Sequence, residues 1–140
     1  MVRNYWGTQP YRRRAVDLPS PVLVTGATSG IGAAVVEALV FGGSHVVGIG
    51  RSQQKSDAIK GRCSGASGTL TMLLGDASLM RNAIRLADDA NAAAGKPFAA
   101  VVHCMGTLLV RATTTSEGID SSFTASFLSR FAISEKIIVQ

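Results

Sequence analysis

The segment Thr25-Gly26-Ala27-Thr28-Ser29-Gly30-Ile31-Gly32 constrains this chain more than any other, because its glycines separate a short apolar run, Val22 to Thr25, from the helical stretch Ile31 to Phe41. A strand that turns through glycines directly into a helix aims the helix's free N–H groups and positive dipole end at one point, where a phosphate can sit. In such a turn Gly26 permits the tight bend, Gly30 leaves room for a ligand and Gly32 lets helix and strand approach. Thr28 and Ser29 can offer hydrogen bonds to phosphate or ribose.

The same strand-then-helix unit repeats downstream. His45 to Gly50 reads as a second buried strand, followed by a polar helix from Ser52, its N-cap, to Cys63. Thr69 to Leu74 is a third strand, and Ser78 then caps a helix that runs to Ala94 and is stopped by Gly95 and Pro97. Phe98 to Cys104 is a fourth strand. After a loop to about Thr115, Ile119, Phe123, Phe127 and Phe131 recur every four residues beside Ala125, Leu128 and Ala132, which predicts a helix with that stripe in the core. Strands alternating with helices pair in parallel through right-handed crossovers, so the expected class is α/β, the first part of a doubly wound, Rossmann-type sheet.

Charge and cysteine usage narrow the function classes. The formal charge of +5 on 140 residues is local: Arg3, Arg12, Arg13 and Arg14 lie in the first 14 residues, and the rest holds ten basic against nine acidic residues, a balance of +1. That disfavours nucleic acid as a partner of the folded part. Residues 1–21 show no lasting period and read as a flexible basic leader, with residues 22–140 as the domain. The leader's arginines would also suit a mitochondrial address, although the expected location is cytoplasmic. Two cysteines, Cys63 and Cys104, and two histidines, His45 and His103, offer neither a zinc spacing nor a disulfide framework. No apolar run approaches the roughly 20 residues of a membrane span.

The Gly-x-x-x-Gly-x-Gly spacing of Gly26, Gly30 and Gly32 resembles the cofactor loop of the short-chain dehydrogenase/reductase family, over about Val22 to Gln140. The resemblance implies a nicotinamide dinucleotide at Gly26, Thr28, Ser29, Gly30, Ile31 and Gly32, and a strand order of 3-2-1-4. Where an acid would bind the ribose 2′-hydroxyl of NAD the chain has Gly50, followed by Arg51, Ser52 and then Lys55, so NADP(H) is expected over NAD(H). Gly75-Asp76-Ala77 is similar to the family's adenine-contacting Asp-Leu pair at Asp76 and Ala77. On its residues alone, Asp76 could equally serve the dipole of the helix after Ser78.

The chain departs from the family further on. His103-Cys104-Met105-Gly106 stands in place of Asn-Asn-Ala-Gly, keeping only Gly106 beside the nicotinamide ribose, and Ser126 stands where an asparagine holds a relay water. His103 and Cys104 are therefore expected to be strand residues, not catalysts. The Tyr-x-x-x-Lys pair that protonates the substrate oxygen is missing, because the only tyrosines are Tyr5 and Tyr11 and neither has lysine four residues later. No helix stop signal precedes Gln140, so the expectation is a fold cut after about four strands, with part of the Phe123, Phe127 and Phe131 face left in water, without catalytic or metal-binding residues and inactive alone. A small carbonyl or alcohol substrate and a homo-oligomer are expected only for a longer protein. The alternative is a non-catalytic NADP-binding or interaction module.

Overall fold

The computed structural model describes residues 18–107 and 111–138. Along the chain come β1 (Val22–Thr25), α1 (Gly30–Phe41), β2 (His45–Gly50), α2 (Gln53–Arg62), β3 (Thr69–Leu74), α3 (Met80–Ala94) and β4 (Ala100–His103). They are followed by α4 (Ser121–Phe123), a π-helical turn (Thr124–Leu128) and α5 (Ser129–Ile138), which form one helical column. The strands form a single parallel sheet, as the repeated units predict, in the order β3-β2-β1-β4 that the resemblance implies. Val22 pairs with Val46 on one side and Ala100 on the other, so β1 is the inner strand that both neighbours frame.

Burial on both sides explains why β1 has no polar alternation: every residue from Val22 to Thr25 is buried. The two-residue period sends Val22 and Val24 to one face and Leu23 to the other. On the first face Val22, Val24 and Val46 pack against Val36 and Val40 of α1 and Ile59 of α2. On the second, Leu23, Val47 and Ile49 meet the alanine-rich side of α3, Ala83, Ala87 and Ala90, together with Ile133 and Ile137 of α5. Burying one leucine or isoleucine side chain contributes about 2 kcal/mol, so these two faces dominate the stability of the sheet.

Most ends follow the local signals. Ser52 caps α2 by accepting from the Lys55 N–H at 3.3 Å, and Gly95 ends α3 in the left-handed conformation at φ 68°. β4 is shorter than Phe98 to Cys104, although the Ala99 N–H to the Pro21 carbonyl and the Cys104 N–H to the Thr25 carbonyl, each 2.9 Å, carry its pairing with β1 past both ends. The leader reading falls mostly on residues 1–17, outside the described residues. Contacts of the fold begin before Val22: Ser20 Oγ accepts from the His45 N–H at 3.0 Å, and Pro21 is buried.

The aromatic stripe is a correction. Phe123, Phe127 and Phe131 are 49%, 58% and 58% exposed, so they are not core. Four-residue spacing describes more than one face of this column, and the buried one runs through Ala125, Ser129, Ile133 and Ile137. The alanine-rich side of α3 packs against α5, and Ile133 and Ile137 fill the space between them. Phe123 and Phe127 stack on each other instead, with ring centroids 5.4 Å apart.

Among the described residues β4 is a sheet edge carrying Ala100, Val101, Val102 and His103, with none of the lysines or prolines that blunt an edge. The 140-residue chain in isolation is therefore expected to self-associate with rising concentration. Size-exclusion chromatography with light scattering checks this, and a monomer at every concentration would contradict it.

Candidate functional site

The turn between β1 and α1 is held by close backbone contacts. Gly26 has φ 70°, and a Cβ there would stand 2.7 Å from the Met105 nitrogen, so this glycine answers both for the turn and for the approach of the segment after β4. A Cβ on Gly32 would lie 2.0 Å from the Gly26 carbonyl oxygen, the helix-to-strand contact expected for it. Gly30 differs in kind: its φ is 53°, and a Cβ would meet nothing within 4 Å, so it is required by backbone conformation and leaves open space above it. Ser29 at the N-cap makes no side-chain cap bond to α1.

Beyond this turn, at the carboxyl ends of the strands, lies a cavity of about 470 Å³. From the sequence candidates it brings together Gly26, Thr28 and Ser29 from the first turn, Arg51 and Ser52 after β2, Asp76 and Ala77 after β3, and Gly106 after β4. Gly30 instead borders an adjoining groove of about 440 Å³ with Lys55, Glu37 and Arg62. Gly32 is buried in the helix–strand contact and Ile31 is 79% exposed, and neither lines the cavity or the groove.

The cavity's charge is uneven. Arg51 and Lys55 line it, both exposed and without an ion-pair partner among the described residues. The nearby carboxylate of Glu37 is taken by Arg62. Gly50 is covered by Thr28, whose Cγ2 would lie 2.4 Å from a Cβ at that position. Neither Arg51 nor Lys55 is paired with an acid among the described residues, so both charges face this end of the cavity.

Asp76 sits at the other side of the same end. Its Oδ1 accepts from the Ser78 N–H at 3.0 Å and from the Ser78 hydroxyl at 2.6 Å, while its carbonyl accepts from Asn82 Nδ2 at 3.2 Å. Ser78 is therefore not the cap of α3, a second correction: Leu79 holds the N-cap position and makes no side-chain bond. The cap comes from afar. Glu117 accepts from the Met80 N–H at 2.6 Å, the Arg81 N–H at 3.1 Å and Arg81 Nε at 3.2 Å, and these bonds hold its carboxyl below the ordinary value. A carboxylate from outside outcompetes a serine already engaged by its neighbour. Glu117 lies in a hairpin-like segment closed by the Thr115 N–H to the Ile119 carbonyl at 2.8 Å and by the Ser121 N–H to the Thr113 carbonyl at 2.8 Å. Thr113 and Ser121 of that segment line the cavity, so the cap also fixes part of its wall.

The end of β4 is braced by groups the sequence pattern did not reveal. His103 Nδ1 lies 3.1 Å from Thr25 Oγ1 and Nε2 3.0 Å from Ser134 Oγ, tying β4 to β1 and to α5. Burial, with the Arg130 charge adding to it, pushes the imidazole below its ordinary 6.5, so the ring is neutral at pH 7. Half-buried Cys104 turns to the opposite core face. The Thr107 N–H donates to Ser126 Oγ at 3.3 Å and the Ser126 hydroxyl to the Thr107 carbonyl at 3.1 Å. Arg130 Nε donates to the Met105 carbonyl at 2.9 Å, and Nη2 donates to the same oxygen. An arginine among Phe127, Leu128, Phe131 and Ala132 was the available signal for this contact. Among the described residues no cluster of side chains could hold a metal ion, and no helix is long and apolar enough to cross a membrane.

A sequence model described as short chain dehydrogenase matches residues 20–140. No curated protein matches the chain. Among solved structures, a 3-oxoacyl (acyl-carrier-protein) reductase from Agrobacterium tumefaciens with NADP bound is similar at 26% identity and a TM-score of 0.71, over 84% of this chain and 46% of that one. A short-chain dehydrogenase/reductase from Serratia marcescens is similar at 21% identity and 0.73, over 84% and 49%. A short-chain dehydrogenase from Sphingobium yanoikuyae in complex with NADPH is similar at 22% and 0.68, over 86% and 47%. The chain thus spans about half the length of these structures.

The Glu117 cap carries a pH signature. A carboxyl held below its ordinary 4.5 in the fold contributes stability that is fully present above that value and is lost as pH falls through the depressed one. Glu117→Gln is expected to lower the thermal midpoint at neutral pH, and the gap to the unaltered chain is expected to close as the solution is acidified below the carboxylate range. Melting curves across pH test this, and a gap independent of pH would assign the loss to packing.

Proposed function

Because the chain belongs to the short-chain dehydrogenase family, we propose that it is the dinucleotide-binding part of an oxidoreductase and that it prefers NADP(H) to NAD(H). The observation that carries the preference is the pair Arg51 and Lys55, two exposed cations without ion-pair partners among the described residues, on the cavity beside Gly50, where an acid would repel a 2′-phosphate.

The residues present suit such a cofactor end to end. The pyrophosphate fits the N-terminus of α1, where Gly30 leaves open space and Thr28 and Ser29 bring hydroxyls. Arg51, Ser52 and Lys55 would take the 2′-phosphate, with the planar guanidinium donating to two of its oxygens at once. Asp76 and Ala77 border the space for adenine, the carboxylate accepting from the amino group and the alanine lying along the ring. Gly106 borders the space for the nicotinamide ribose. Gly32 supports the turn without lining the cavity, and Ile31 stays at the solvent-facing start of α1. When bound, the nicotinamide supplies the hydride exchanged with a carbonyl or alcohol carbon.

In this reading the family's Tyr-x-x-x-Lys pair is not supplied by Tyr5 or Tyr11, neither of which has lysine four residues later. A small carbonyl or alcohol substrate and a homo-oligomeric assembly are proposed only for a protein that does supply the pair, and a cytoplasmic setting is part of the same reading. A second reading, a binding module without turnover, is favoured by one specific observation: His103 and Ser126, at the positions of two family asparagines, are both engaged in structural hydrogen bonds.

Two outcomes are expected. NADPH binds more tightly than NADH in calorimetry, by about tenfold or more, and Arg51→Asp abolishes or reverses the difference without altering circular dichroism. Equal affinities in the unaltered chain would remove the NADP preference. The chain alone is also expected to oxidise no NADPH with a panel of carbonyl substrates. Turnover lost on mutation within this sequence would show that it holds its own catalyst.

A further inference from the structure

The helical column from Ser126 to Ser134 carries three polar residues four apart, Ser126, Arg130 and Ser134, between its exposed aromatic side and its buried isoleucine side. They meet three alternate residues of the chain leaving β4: Ser126 meets Thr107, Arg130 meets Met105, and Ser134 meets His103. The three contacts thus run in order along both segments, in opposite directions.

We propose that this ladder, with Arg130 at its centre, positions the wall of the cavity that receives the nicotinamide half of the cofactor, so that Arg130 governs cofactor binding without touching the cofactor. The inference rests on the dinucleotide reading given above. Both the Nε and Nη2 of half-buried Arg130 converge on one carbonyl, that of Met105. The segment so held, Cys104 to Thr107, lines the cavity. It is also the backbone against which Gly26 rests, at 2.7 Å from a would-be Cβ to the Met105 nitrogen, so its position is felt at the glycine turn. A Cβ at Gly106 would stand 2.8 Å from Arg130 Nη2, so the guanidinium occupies the space beside that glycine. The neutral state of His103, whose imidazole burial and the Arg130 charge hold below 6.5, spares the ladder a repulsion between adjacent rungs at neutral pH.

The adenosine end, formed by Arg51, Lys55 and Asp76, has no part in the ladder, and that separation makes the test. Amide hydrogen exchange is followed in the ligand-free chain and in Arg130→Met and Arg130→Lys. Affinities for NADPH and for adenosine 2′,5′-bisphosphate, which fills the adenosine end alone, are measured on the same three proteins. Arg130→Met is expected to speed exchange at Met105 to Thr107 and to weaken NADPH about tenfold while leaving the bisphosphate unchanged, with Arg130→Lys between the two. Unchanged exchange and unchanged NADPH affinity in Arg130→Met would overturn the proposal. An equal loss of both ligands would overturn it too, since that marks general unfolding. If the unaltered chain binds neither ligand, the cofactor reading itself fails and takes the ligand half of the proposal with it, while the exchange rates still decide whether Arg130 holds the segment.

Discussion

The near-contact of two backbones, Gly26 after β1 and Met105 after β4, is the constraint on which the rest of the site depends. No side chain fits between them, with 2.7 Å from a would-be Cβ to the Met105 nitrogen. Since β1 is the inner strand between β2 and β4, this contact fixes the start of α1 relative to the whole carboxyl edge of the sheet. The cavity lies along that edge because every βα turn opens there, the general consequence of parallel strands joined by helices. A residue larger than glycine at position 26 would push apart the two segments that close the cavity, and it would also have to adopt a φ of 70°.

Electrostatics divides the cavity into two ends. At one, Arg51 and Lys55 project without ion-pair partners among the described residues, while Glu37 is paired with Arg62 and Asp76 is engaged at one oxygen by Ser78. At the other, the cation Arg130 is spent on a backbone carbonyl and His103 is kept neutral. The α1 N-terminus, Arg51 and Lys55 thus favour anionic groups at the first end, while at the other Arg130 is held against the Met105 carbonyl. A dinucleotide whose phosphates cluster at one end and whose reactive ring is at the other matches that division.

What the sequence made legible is what neighbours in the chain determine. The alternation of strands and helices, the glycine turn, the Ser52 cap and the basic pair after β2 each rest on residues within one turn or one βα unit of each other, while the pairing of β1 with β4 came only with the family resemblance. What it did not reveal depends on partners far away. The α3 cap looked local because Ser78 stands in the right place, yet Glu117, 37 residues from Met80, supplies it. Composition carries no record of such a meeting, since it arises only when the loop after β4 folds back over the end of β3. His103 read only as a strand residue standing where the family has an asparagine, yet its imidazole bridges Thr25 and Ser134.

The last column of helix shows why periodicity alone misassigned a face. Its sequence contains three sets of residues four apart, one aromatic, one of small and aliphatic residues, one polar, and hydropathy selects the aromatic set as core. Packing selects differently: the alanine-rich side of α3 faces Ile133 and Ile137, and Ser129 is buried on the same side of the column. With that face turned inward, the polar set is carried to the chain leaving β4, where backbone groups beyond the end of sheet pairing need partners. Ser126 satisfies Thr107 and Arg130 satisfies Met105, while the phenylalanines are left on the remaining, outer side. The exposure of the aromatic stripe and the bracing of the cavity wall are thus one choice of helix rotation, made by the alanines of a neighbouring helix.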